Sequence, residues 1–121
     1  MRRAFAHDAV VAIEAGGDIG APGAAITVAL CGHWEHEPPC PLAPHHTAAE
    51  PAGEQVRLRV LFAAEPADEA EVRRRIARAL AAGRLDGPGG AITRWRLRTE
   101  QPGQVGTDEA EHAARLVRSA S

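Results

Sequence analysis

The chain of 121 residues contains no lysine, asparagine or tyrosine, and it has only two tryptophans and two phenylalanines. All 14 of its basic residues are therefore arginines. Ala, Gly, Arg and Pro are abundant and have GC-rich codons, so we attribute the bias to the genome before function. The net charge of −2 and the pI of about 6.3 argue against a protein built chiefly to bind nucleic acid.

A long apolar run is also missing from the sequence. No stretch of about 18 consecutive apolar residues is present, so no membrane-spanning helix is predicted. The apolar N-terminal stretch contains His7, Asp8 and Glu14, and we interpret it as part of the fold rather than as a signal peptide. We therefore expect a cytoplasmic protein, in which cysteine thiols stay reduced.

Four stretches with period-two alternation of apolar and polar residues predict strands. They are residues 5–15, 24–34, 54–62 and 91–100. Two helices are predicted, at 68–83 and from Thr107 onward. Five prolines within residues 38–53 predict an irregular loop.

These elements follow one another in the order β-β-β-α-β-α. We therefore predict a single small α+β domain over residues 1–121, with a mostly antiparallel sheet of about four strands. Both helices are expected on one face of this sheet. A metal-site loop rich in proline, histidine and cysteine is expected at about 31–53.

Soft and borderline metal ligands are concentrated in one short segment. Residues 31–46 hold both cysteines of the chain and four of its six histidines. These candidate ligands are Cys31, His33, His36, Cys40, His45 and His46. Thiolate and imidazole are the ligands that zinc prefers, and four of them close a structural site. The segment therefore predicts zinc binding, with Cu(I) as an alternative.

The predicted second strand suggests which candidates share one ion. On a strand, Cys31 and His33 project from the same face, and the proline-rich loop is expected to deliver Cys40 with His45 or His46. His36 is the replacement if the chain bends after Trp34. The spacing matches no standard zinc finger. The alternative to metal binding is therefore a solvated histidine-rich loop, with Cys31 as an ordinary buried residue.

The role of such a metal stays open between two kinds of site. A site closed by protein ligands is structural or metal-handling, and we favour this interpretation over an enzyme. A site with one open position predicts a metal-dependent hydrolase, for which Glu35 is a weak catalytic candidate.

Arginines on two predicted strands form a second feature. Arg57 and Arg59 lie on one strand, and Arg94, Arg96 and Arg98 lie on another. If the strands adjoin, this face could bind an anionic ligand or RNA, or form a homodimer contact. The simpler interpretation pairs these arginines with nearby carboxylates. Besides the metal ion, we therefore expect no membrane or nucleic-acid partner.

Overall fold

The computed structural model describes residues 1–31 and 43–119. Its strands are β1 (Arg3–Ile13), β2 (His45–Ala52), β3 (Gln55–Ala64), β4 (Arg84–Asp86) and β5 (Ile92–Gly103). Its helices are α1 (Ala21–Cys31), α2 (Glu69–Ala82) and α3 (Ala110–Ser119). The α+β prediction is confirmed, but these ranges contain five strands and three helices rather than four and two.

All strand pairs in the sheet are antiparallel, in the order β2-β3-β1-β5-β4. Without the three-residue β4, the elements before α3 follow the order β-α-β-β-α-β. In each β-α-β unit one other strand lies between the two parallel strands, which is the split arrangement. The central strand is therefore β1, with the edge strand β2 two positions away.

The core lies between the sheet and the helix pair α1 and α2. Its side chains Val11, Leu58, Phe62, Ile76 and Leu80 are at most 2% exposed. Each such side chain contributes about 1.5–3 kcal/mol through burial. The alternation that predicted inward faces on β1 and β3, and the stripe that predicted the buried face of α2, are confirmed.

Gly83 ends α2 in the left-handed conformation, as the sequence predicts. Its φ is +66°, and a Cβ atom here would lie 2.5 Å from the carbonyl oxygen of Trp95. The Trp95 amide donates to the Gly83 carbonyl oxygen at 3.0 Å, and its indole Nε1 donates to the Leu80 oxygen at 3.0 Å. Glycine is required here because only it combines this φ with such a close strand.

The strand predicted at 24–34 is wrong over its described part, because residues 24–31 belong to α1. Ile26 and Leu30 fit both an alternating strand and a helical i, i+4 pair, and both are buried. An apolar run with no charge does not separate the two periods. Pro22 lies in the first helical turn, where a missing N–H costs no hydrogen bond.

The irregular loop predicted at 38–53 is also wrong in part, because residues 45–52 form β2. This strand pairs antiparallel with β3, from His45 opposite Phe62 to Ala52 opposite Gln55. Pro51 is accommodated because β2 is an edge strand, where one side of the backbone needs no partner.

The third helix does not share a face with the other two. It contacts β1 and β3 on the opposite face, where Ala6, Leu61 and Ala63 are at most 3% exposed. On α3 itself Ala113 is buried, with 4% exposure. The expectation that both predicted helices lie on one face is therefore wrong.

Arg59 connects α3 to the sheet. Its Nη1 donates to both oxygens of Asp8 at 2.9 and 3.1 Å, and its Nη2 and Nε donate to Glu109 at 2.6 and 3.2 Å. Nη2 also donates to the Gln104 carbonyl oxygen. The hydrogen bond from Arg59, together with the one from the Gly106 amide, holds the pKa of Glu109 below its usual value.

This lowered pKa predicts an acid-sensitive attachment of α3. The stabilisation by Glu109 is complete above the ordinary carboxyl pKa of 4.5 and is lost as the pH falls through the lower pKa of the folded state. We expect Glu109→Gln to be less stable than the parent at pH 7 and to lose less stability on acidification. Urea unfolding between about pH 3 and 7 measures both effects.

Glu50→Gln is the matched control, since Glu50 is an exposed carboxylate for which no ion pair is found in the described part of the chain. Its stability should follow the parent across the same pH range. Identical pH profiles for the parent and Glu109→Gln would contradict the role assigned to this carboxylate.

Candidate functional site

The cysteine and histidine segment connects the end of α1 with the start of β2. Cys31 is the last residue of α1, and His45 and His46 are the first two residues of β2. The other predicted ligands, His33, His36 and Cys40, and the candidate Glu35 lie outside the described residues. The prediction that Cys31 and His33 project from the same face assumed a strand at Cys31. Cys31 lies in a helix, so strand alternation no longer supports that prediction.

His45 lies on the sheet face that α1 covers. Its Nδ1 is 3.0 Å from the Ala43 carbonyl oxygen, and its Nε2 is 3.0 Å from Thr27 Oγ1 of α1. A carbonyl oxygen only accepts, so Nδ1 carries a proton, and in the neutral tautomer this leaves Nε2 to accept from the Thr27 hydroxyl. This contact joins the two ends of the segment, since Thr27 lies one helical turn before Cys31.

The Thr27 hydroxyl has a second acceptor within reach. Its Oγ1 lies 3.2 Å from the Gly23 carbonyl oxygen, one turn earlier in α1. If another group takes the lone pair of His45 Nε2, the hydroxyl can donate to Gly23 instead. If another group replaces the Thr27 hydroxyl at Nε2, the hydroxyl therefore still has an acceptor.

His46 projects from the opposite face of β2, because successive strand residues alternate. Its exposed ring contacts that of His112 on α3, with ring centroids 4.8 Å apart and planes at 58°. The two adjacent histidines therefore contact different helices, His45 contacting α1 and His46 contacting α3. Of the two alternatives in the sequence, His45 is the one on the side of α1.

A buried polar chain around His7 was not predicted. Arg73 Nη1 donates to His7 Nδ1 at 3.0 Å and to the Ala6 carbonyl oxygen at 2.7 Å. Arginine only donates, so His7 carries its proton on Nε2, which lies 3.1 Å from Glu100 Oε2. Arg73 Nε also donates to Glu69 at 2.9 Å. This hydrogen-bond network links α2, β1 and β5.

The position of His7 among inward-facing residues of β1 was the only sequence signal for this network. His7 is 5% exposed, and the Arg73 guanidinium lies over the Phe62 ring at 5.3 Å. Its two partners, Arg73 and Glu100, are far from it in sequence. The four hydrogen bonds of this network all join groups within the fold, so we assign the network a structural role.

The arginine strands do not adjoin, because β1 lies between β3 and β5. Arg59 is occupied by Asp8 and Glu109, as the simpler interpretation expects. Arg57 on β3 and Arg94 and Arg96 on β5 are exposed. They lie on the sheet face that α3 covers only in part, which we call the open face. Arg98 lies at a register shift between β1 and β5, where it has no partner residue on β1. The in-and-out alternation of side chains along β5 is therefore interrupted at Arg98.

Within the described ranges, no group of three or more His, Cys, Asp or Glu side chains is arranged to hold a metal ion. The described helices include none long and apolar enough to cross a membrane. Comparison with protein-family models, with curated proteins and with solved structures gives no match. The geometry of the chain is therefore the basis for any functional conclusion.

The His7 network predicts a measurable stability effect. We expect His7→Leu to lower the free energy of unfolding by about 1–3 kcal/mol, because Arg73 and Glu100 each lose a buried partner. His46→Leu, the same substitution at an exposed position of β2, should change it by less than about 0.5 kcal/mol. Urea unfolding with a chelator present excludes any contribution from metal.

A double variant tests the cause of this loss. Adding Arg73→Met to His7→Leu removes the unpaired guanidinium, so the combined loss should be smaller than the sum of the two single losses. Additive losses, or a His7→Leu protein as stable as the parent, would contradict the network.

Proposed function

We propose that this chain binds a transition-metal ion, zinc in the first place, through Cys31, His45 and ligands from the segment between them. The proposal depends most on the 3.0 Å contact between Thr27 Oγ1 and His45 Nε2. This contact brings the start of β2 to the last turns of α1. A helix end and a strand start held side by side can contribute one ligand each to the same ion.

The surroundings of His45 favour metal binding at Nε2. Metal-binding histidines commonly donate their other ring N–H to a carbonyl or carboxylate, which fixes the ring and its protonated nitrogen. Ala43 supplies such a carbonyl at Nδ1. An ion at Nε2 requires the Thr27 side chain or the imidazole ring to rotate away, and the hydroxyl then has the Gly23 carbonyl oxygen as its acceptor.

The remaining ligands are assigned on chemical type alone. Cys40 supplies a second thiolate, and His33 or His36 a second imidazole. An S2N2 set suits tetrahedral zinc, while thiolates also suit Cu(I). Filled by four protein groups, the site is structural or metal-handling. With one position open it becomes the metal-dependent hydrolase alternative, with Glu35 as its candidate base.

The test is metal analysis of the reduced, tag-free protein after gel filtration. We expect the parent to retain about one equivalent of zinc, and His45→Gln and Cys40→Ser to retain less than about 0.2. The physical reason is that each variant removes a first ligand. His46→Gln, the adjacent imidazole on the other face, is the matched control and should retain the one equivalent of zinc that stays bound through gel filtration.

A parent that neither contains nor takes up a transition metal contradicts the proposal. Equal loss from His45→Gln and His46→Gln would contradict the assignment of His45. Circular dichroism of each variant separates the roles: loss of metal with retained fold favours metal handling, and unfolding favours a structural site.

The competing hypothesis is an anionic ligand, RNA or a second copy of the chain on the open sheet face. Exposed Arg57, Arg94 and Arg96 favour it. Against RNA, sheet readers stack bases on exposed aromatic rings. Trp95 faces the core with 7% exposure, and Phe5 and Phe62 stack on each other on the helix side.

Charge reversal tests this alternative. We expect the parent and Arg94→Glu/Arg96→Glu to show the same sedimentation coefficient and the same absence of binding to single-stranded RNA. If the parent binds RNA or dimerises and the double variant does not, the competing hypothesis of a binding function on this face is supported.

A further inference from the structure

The four histidines within the described ranges fall into two classes. In His7 and His45, both ring nitrogens lie within hydrogen-bond distance of protein groups. In His46 and His112, no ring nitrogen has a hydrogen-bond partner among the described residues. These last two rings face each other across the junction of β2 and α3, with their lone pairs available to a ligand.

The separation of these rings suits a shared metal ion. With metal–nitrogen bonds of about 2.0–2.1 Å, two imidazoles bound at 90–110° have ring centroids about 4.5–5.2 Å apart. The observed separation of 4.8 Å falls within this interval, and the planes are inclined at 58° rather than stacked. The two rings are therefore close enough for one nitrogen of each to bind the same ion.

The local charge also favours a cation beside these rings. Asp108 and Glu109 lie in the short 3-10 helix that precedes α3, Glu111 lies in the first turn of α3, and all three are within four residues of His112. Arg59 neutralises Glu109, whereas Asp108 forms no ion pair among the described residues and Glu111 lies 3.6 Å from exposed Arg115. This carboxylate charge offsets the positive end of the helix dipole near His112.

We propose that His46 and His112 form a second metal site, which binds a divalent transition-metal ion through two imidazoles, with water at the other positions. It lies on the opposite sheet face from His45, and its ligands include no thiolate. The site is separate from the one under Proposed function and does not depend on it. An ion bound here connects the edge strand β2 to α3. Imidazole sites bind Cu²⁺ more tightly than Ni²⁺ or Zn²⁺.

Titration of the full chain with Ni²⁺ tests the site, because Ni²⁺ suits imidazole and does not oxidise thiols. Calorimetry at about pH 7.5 should detect a site in the parent that His46→Gln and His112→Gln each weaken at least about tenfold. His45→Gln is the matched control and should retain this site. Cys40→Ser should also retain it, which separates its failure from failure of the thiolate site.

Paramagnetic broadening by Ni²⁺ gives the location independently of affinity. We expect the amide signals of Leu61, opposite His46 on β3, and of Ala113, next to His112, to broaden at substoichiometric metal. Equal affinity of the parent and His112→Gln, or broadening confined to the side of Thr27, would overturn the proposal. Both glutamine substitutions are at the surface or partly exposed, so circular dichroism should match the parent.

Discussion

The register of β2 on β3 is the constraint on which both proposed metal sites depend. With His45 opposite Phe62 and His46 opposite Leu61, strand alternation directs two adjacent imidazoles to opposite faces of the sheet. A slip of one residue would exchange them. His45 would then leave Thr27 and the end of α1, and His46 would leave α3. The pairing of β2 with β3 thus places two adjacent candidate ligands, His45 and His46, on opposite faces of the sheet.

Much of the fold follows from local sequence patterns. The inward faces of β1, β3 and β5, the buried stripe of α2 and the stop at Gly83 are all predictable, because period and turn chemistry agree there. The first helix is not predictable in this way, since Ile26 and Leu30 satisfy both periods. The edge strand β2 escapes prediction because prolines dominate its neighbourhood. Only the pairing with β3 shows that Pro51 can be accommodated.

The sequence supplies candidate ligands by chemical type, but it does not give their arrangement in space. Ligand type and density identify the segment, whereas the choice between His45 and His46 needs the position of α1. His112 gave no signal because its partner is remote in sequence, and the same is true of His7 with Arg73 and Glu100. Contacts between distant residues follow from the topology, in which β1 lies at the centre and α3 crosses to the other face.

The central claim is that Cys31 and His45 bind one ion together with further thiolate and imidazole ligands. X-ray absorption at the zinc edge of the protein with one equivalent of zinc tests it most directly. Mixed coordination is predicted, with Zn–S distances of about 2.3 Å and Zn–N distances of about 2.0–2.1 Å. A shell of nitrogen and oxygen alone, with no sulfur contribution, would contradict the account.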